Sequence, residues 1–367
     1  MTSTATLARA LTLQNEGRVA EAVAMYRELL AREPLDGDAL HLLGVAVARL
    51  GQTQEAVRLI GAAVQLQPSN AAAHADLANA LSASGSHAEA LPCYDRALAL
   101  QPDLARAYRG RGAALLALGQ PEAAQASFRE ALRLAPSDHQ ALNALGVALE
   151  RLSRPDEARQ CFSRAITLNP ANVDAHHNLS LIEAAAGRHA EALMHIERAL
   201  ALQPLHPALH TNRGTELLAL GRPAEAVASF DRAIGSSGTG ASPHHNRGLA
   251  LASLGRHAEA LASFERALAL APEATATHLW RGKMCLQLGR PAEAVESFDR
   301  AVGSSGAGAA PHHNRGLALA SLGRHAEALA SFERALALAP EATSTHLWRS
   351  EERRVGKECR SRWSPYH

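Results

Sequence analysis

Residues 241–274 read ASPHHNRGLALASLGRHAEALASFERALALAPEA. Ala260, Phe264, Ala267 and Leu268 fall three or four apart and line one helical face. Gly255 stands where a left-handed residue can end a first helix. Pro272 stands at the end of a second helix, which it cannot continue. Small residues, Gly248 and Ala260, let the two helices touch, and the Phe264 ring fills the space beside them. The stretch predicts an antiparallel helical hairpin.

The hairpin recurs along the chain. Proline stands at 34, 68, 102, 136, 170 and 204, then at 272 and 340, always 34 residues or twice that apart. Glycine keeps the same beat at 17, 51, 85, 119, 187, 221, 255, 289 and 323. We number each repeat so that its proline falls at place 32, giving ten full repeats that begin at Ser3, Gly37, Ala71, Ala105, His139, Val173, Pro207, Ala241, Thr275 and Ala309. Place 8 is small throughout, place 20 is alanine in all ten, and every phenylalanine of the protein sits at place 24. A hairpin of this size cannot bury its own apolar face, so neighbours must stack.

Small at 8, alanine at 20, a ring at 24, small at 27 and proline at 32 resemble the tetratricopeptide repeat, over residues 3–348. The resemblance implies an all-α, right-handed superhelical solenoid of about ten helix-turn-helix repeats, with a concave groove lined by the first helices. Its usual work is non-catalytic: an interaction scaffold holding a protein or extended peptide. Place 4, bulky in the family, is weak here, being His74, Tyr108, His176, His210, His244, His278 and His312. The stretches His41-Leu-Leu-Gly and Asn178-Leu-Ser also resemble arrays that precede bacterial glycosyltransferase or sulfotransferase domains. The alternative is therefore a recognition array of a larger enzyme, and the gene downstream of Arg349 separates the two.

Composition narrows the function. Net charge is +1, which does not suggest a nucleic-acid partner. The four cysteines form no C-x-x-C pair, and a reducing, cytoplasmic setting fits. Cys93 and Cys161, beside the core ring, are expected to be buried and inert. No membrane span and no signal peptide are read. The nineteen histidines, including His176-His177, His244-His245 and His312-His313, lack the carboxylate spacing of a metal site. His87, His189, His257 and His325, between the paired helices, are expected to be exposed. No catalytic motif and no cofactor motif is present.

The candidate site is the groove. Asn178, Asn212, Asn246 and Asn314 share place 6, and spaced amides can hold the main chain of a peptide without reading its sequence. They are similar to the asparagine ladder of O-linked N-acetylglucosamine transferase arrays, interrupted here by Asp76, Gly110, Ala144 and Trp280. Arg213, Arg247, Arg281 and Arg315 follow at place 7, where the family has leucine. They either bind acidic groups of the ligand or lay their stems over the core and pair with nearby glutamates. The lysine at place 5 with which some such arrays grip a terminal carboxylate is missing.

Two features break the beat. After Ile234 and Val302 the proline end is replaced by Gly-Ser-Ser-Gly, predicting second helices that stop early. Residues 222–281 and 290–349 differ at only five places, marking a block copied recently or repeated in assembly. The match fails after Arg349, and residues 349–367 resemble the in-frame translation of a short-read sequencing adapter, so this tail is read as non-native. Without it the chain holds 31 basic and 33 acidic residues, a net charge of −2. The native protein is then expected to continue beyond Arg349, and this chain to leave its last hairpin uncovered and to aggregate or fray at that end. Amplification of coding sequence across the junction would overturn that reading.

Overall fold

The computed structural model describes residues 3–237, 240–303 and 308–362, with side chains to residue 353 except that of residue 237. Among the described residues there are helices and no strands. Two compact units divide between Ile182 and Glu183. The amino-terminal unit carries α1 (Ser3–Asn15), α2 (Val19–Arg32), α3 (Gly37–Arg49), α4 (Thr53–Leu66), α5 (Ala71–Ala83), α6 (His87–Leu100), α7 (Ala105–Ala117), α8 (Pro121–Leu134), α9 (His139–Arg151) and α10 (Pro155–Leu168), and α11 (Val173–Ala185) crosses the division. The carboxy-terminal unit continues with α12 (His189–Leu202), α13 (Pro207–Ala219), α14 (Pro223–Ser237), α15 (Ala241–Ser253), α16 (His257–Leu270), α17 (Thr275–Gln287), α18 (Pro291–Val302), α19 (Ala309–Ser321), α20 (His325–Leu338) and α21 (Thr343–Arg362). Odd-numbered helices are the first of each repeat and even-numbered ones the second. Helices α1 to α10 in one unit and α12 to α21 in the other each pack on their chain neighbours, as a stack of hairpins requires.

The repeated residues act as their positions imply. The place-15 glycines all have positive φ, between +69° and +85°, which costs a glycine little. Ser153 takes that place in one repeat and is forced to φ 57°. The rings at place 24, Phe128, Phe162, Phe230, Phe264, Phe298 and Phe332, are fully buried, as is the alanine at place 20 of every repeat. A Cβ added at Gly112 would stand 2.6 Å from the Phe128 ring, and one at Gly146, Gly214, Gly248 or Gly282 would stand 2.5 Å from its own phenylalanine. Small at 8 and large at 24 are therefore one packing choice. Where place 24 is tyrosine the hydroxyl is kept: Tyr26 donates to Gln14 at 3.2 Å and Tyr94 to Asn79 at 2.7 Å. Burial pushes the Tyr26 phenol up to about 12.

The histidines at place 4 have a role their weak apolar character hid. Nε2 of His74, His176, His210, His278 and His346 lies 2.7–3.2 Å from the carbonyl oxygen of the proline six residues earlier. Each imidazole staples the loop that enters its repeat, satisfying a carbonyl the proline turn leaves over. His244 and His312 follow the glycine-serine ends, where that proline is missing. The Gly-Ser-Ser-Gly expectation divides: α18 stops early at Val302, whereas α14 runs to Ser237, beyond the usual end at place 30. Residues 238, 239 and 304–307 lie outside the described residues.

Two further expectations are corrected. Histidines at place 17 are not simply exposed: Nδ1 of His189 lies 2.8 Å from Glu216 Oε2, Nδ1 of His325 lies 2.7 Å from Glu352 Oε2, and Nδ1 of His87 and of His257 is buried. The last hairpin is not left uncovered. Helix α21 crosses residue 349, packs on α20, buries Glu352 and pairs Arg353 with Glu333 at 2.6 Å. Cys93 and Cys161 are half-buried, and burial is the main cause raising their thiols above the ordinary range. Side chains of residues 354–367, Cys359 included, lie outside the described residues.

Candidate functional site

In the carboxy-terminal unit the first helices α15, α17 and α19 lie side by side and line a groove of about 700 Å³. Place 9 of the three helices contributes Leu249, Lys283 and Leu317, and place 6 contributes Trp280 and Asn314. These places fall on one helical face because they stand three apart. Trp280 lies over the core, its ring 6.4 Å from that of Phe264 and tilted from it by only 18°. Lys283 Nζ stands 4.4 Å from the centre of the Trp280 ring, within cation–π reach.

The place-6 asparagines are all half-buried. Asn314 lines the groove, and its Nδ2 donates to the Ala310 carbonyl at 2.8 Å. Asn246 donates weakly to Thr215 Oγ1 at 3.5 Å. Asn212 belongs to the same unit and has a partner of its own. Asn178 lies in the amino-terminal unit and donates to Asn143 Oδ1, at place 5 of the preceding repeat, at 3.1 Å. The same step is made by His41 and Asp76, at 2.8 Å. In the amino-terminal unit α3 and α5, and α9 and α11, are thus laced on this face by polar pairs between place 5 and the following place 6. The Asn178-Leu179-Ser180 sequon is mid-helix, with Leu179 and Ser180 buried.

The place-7 arginines are engaged within the protein. Arg247 donates from Nε to Asp231 at 2.6 Å and from Nη1 to Ser263 Oγ at 2.7 Å. Arg315 does the same with Asp299 and Ser331, at 2.5 and 2.7 Å. Arg213 uses Glu197 and Ser229, and Arg281 uses Glu265 and Ser297. Each acid is sixteen residues before its arginine and each serine sixteen after it. One guanidinium therefore joins three helices, and the buried serine passes its own proton to the carbonyl four residues back. The arrangement matches the stem-over-core alternative. Sequence reading missed the serine, and also Arg111, which clasps Asp95 and Ser127 in the amino-terminal unit at 2.7 and 2.9 Å. The signal was there: Arg111, Arg213, Arg247, Arg281 and Arg315 each have serine at place 23 and an acid at the preceding place 25, whereas Arg9, also at place 7, has Met25 at place 23.

Tetratricopeptide repeat profiles match residues 7–71, 68–137, 111–173, 143–207, 177–243, 245–311 and 309–342. The chain belongs to the tetratricopeptide repeat family. Solved structures of similar fold include Pseudomonas aeruginosa PilF, at a TM-score of 0.53 and 20% identity over 59% of this chain and 97% of that one. The Cut9–Hcn1 hetero-tetramer of the APC/C aligns at a TM-score of 0.52 and 14% identity, over 96% of this chain and 83% of that one. YrrB, a tetratricopeptide repeat protein with an unusual peptide-binding site, is 26% identical over 51% of this chain and 96% of its own, with a TM-score of 0.43. These likenesses concern the fold. A comparison with curated proteins returned no match. No helix among the described residues is long and apolar enough to cross a membrane, and no group of three or more histidine, cysteine or acidic side chains among them could hold a metal ion.

Proposed function

We propose that this tetratricopeptide repeat array is a binding scaffold, and that an extended peptide segment of a partner protein lies in the groove of α15, α17 and α19. The observation that carries the reading is the composition of that face. Apolar side chains alternate with amides and hydroxyls, and a groove of about 700 Å³ is left between the helices. Apolar walls with a few placed polar groups are what a ligand site needs. Asn212, Asn246 and Asn314 each carry an amide that can donate to and accept from a peptide main chain. In the amino-terminal unit the linked amides of Asn178 and Asn143 offer the same groups. We assign Arg213, Arg247 and Arg315 to holding the helices that frame the groove, because their guanidinium groups already face a carboxylate and a serine. A polyanion such as nucleic acid fits poorly, because Lys283 is the one charged group at the groove of α15, α17 and α19 apart from an imidazole.

Display of random dodecapeptides against the full chain tests the reading. Selected peptides should bind the purified protein in fluorescence anisotropy. Asn246→Ala together with Asn314→Ala should weaken them roughly tenfold, the loss of one or two hydrogen bonds. An unchanged affinity, or failure to select any peptide, would contradict it.

A further inference from the structure

Helix α17 departs from its neighbours at three places of the same face. Place 6 is Trp280, where α13, α15 and α19 carry Asn212, Asn246 and Asn314. Place 9 is Lys283, where they carry Thr215, Leu249 and Leu317. Place 10 is Met284, where the flanking α15 and α19 carry Ala250 and Ala318 and the next first helices, α13 and α21, carry Glu216 and Glu352. The third change alters its neighbour. His189 and His325 bond Glu216 and Glu352 through Nδ1, whereas His257, at the same place, lines the pocket with Met284, and its buried Nδ1 has no hydrogen-bond partner among the described residues. The pocket therefore has an apolar thioether where the repeats of α13 and α21 have a carboxylate. Its walls are the indole of Trp280 with Leu249, Leu286 and Leu317. Its ammonium, Lys283, rests on the indole and forms no ion pair among the described residues.

We infer that this pocket reads the peptide: it takes an extended segment in which an apolar side chain stands beside an aspartate or glutamate. The inference rests on the groove-binding reading above and gives it a chemical preference. The apolar side chain enters between Trp280 and the leucines, where burial is favourable. The neighbouring carboxylate meets Lys283 in a setting partly shielded from water, where the pairing is stronger than at an open surface. An internal acid fits better than a chain end. A terminal carboxylate calls for several convergent donors, and the lining supplies one cation. Asn246 on the helix before Trp280 and Asn314 on the helix after it can hold the main chain as it continues both ways.

The copied block provides a built-in contrast. Trp280-Arg281 recurs as Trp348-Arg349, but the places of Lys283 and Met284 are then held by Glu351 and Glu352. There the histidine takes its carboxylate from within the chain. Met284→Glu should accordingly fold, because the protein already contains the His–Glu pair it would create, and should repel an acidic ligand.

The test is random dodecapeptide display on the full-length wild type, on K283E, on M284E and on W280N, each first checked for an unchanged thermal melt by circular dichroism. Wild type should enrich peptides with an apolar residue within two positions of an acid. Lys283→Glu should exchange the acid for lysine or arginine, Met284→Glu should lower affinity for the wild-type peptides at least tenfold, and Trp280→Asn should keep binding but lose the apolar preference. Peptides that bind wild type and K283E alike, or that carry no acid, would overturn this inference and leave the groove reading standing. Should no peptide be captured by any of the four proteins, the groove reading falls and this inference with it.

Discussion

The two compact units share one repeat and hold it together differently. In the amino-terminal unit place 7 is mostly leucine, with Leu43, Leu145 and Leu179 buried. Four of its first helices, α3, α5, α9 and α11, are capped by side chains: Asp36, Asn70, Asp138 and Asn172 each accept from a backbone N–H of the following turn. In the carboxy-terminal unit the capping place is Gly240, Ala274, Gly308 and Ala342, and only His206 still accepts, at 3.4 Å. There place 7 is arginine in four successive repeats, each clasping an acid and a serine. Apolar knobs and caps predominate in one unit, where Arg111 makes the one described clasp, and polar clasps in the other. The repeat thus requires a large buried side chain, a small residue facing it and a left-handed turn, while the link between hairpins is free to change chemistry.

The comparison can be broken at its common part first. Phe128→Ala and Phe264→Ala should each destabilise their own unit by about 3–5 kcal/mol, since both rings are fully buried. Amide exchange resolved by segment would show it, and a loss in one unit much smaller than in the other would mean the cores are not equivalent. The clasp comes next. Arg247→Ala should cost about 1–3 kcal/mol, because it leaves the buried Ser263 with one hydrogen bond fewer and frees Asp231. Leu145→Ala, the matching truncation in the other unit, should cost about 2–5 kcal/mol through its cavity. Caps follow: Asp138→Ala should cost about 1 kcal/mol and Ala274→Asp should gain about as much, read by urea denaturation.

The smallest effect is the response to acid. His244, His245, His312 and His313, all in the carboxy-terminal unit, are held below the ordinary imidazole value of 6.5, first by burial. His244 is lowered further by Arg266 and Arg247, and His312 by Arg334 and Arg315. Above 6.5 both folded and unfolded chains keep these rings neutral. Below it the unfolded chain takes up protons first, so stability falls as pH falls through that value. Exchange at pH 5.5 against 7.5 should therefore loosen the carboxy-terminal unit more than the amino-terminal one. Equal loosening would count against buried neutral histidines there.

Much of this was legible in the residues. The period, the ring at place 24 and the turn glycine fixed the hairpins because each is dictated by local geometry or burial. The roles of His74 and Arg247 were not legible in the same way. Their partners, Pro68 and the pair Asp231 and Ser263, stand six and sixteen residues away, distances that acquire meaning only when helices stack. The residues past Arg349 show the same limit. They lack an apolar rhythm, yet Glu352 falls at a place where another repeat already keeps a glutamate for histidine. Of the asparagines read as groove residues Asn314 lines this groove, and Trp280 was read only as an interruption of them. Its meaning depends on Lys283 and Met284 meeting it across one helical face.

The central claim is that the first helices of the carboxy-terminal unit hold the ligand. Hydrogen–deuterium exchange on the full chain, with and without a display-selected peptide at saturation, tests it most directly. Added protection should fall on α15, α17 and α19, strongest around Trp280 and Asn314. Protection confined to α14, α16, α18 and α20 would place the ligand on the opposite surface and contradict it.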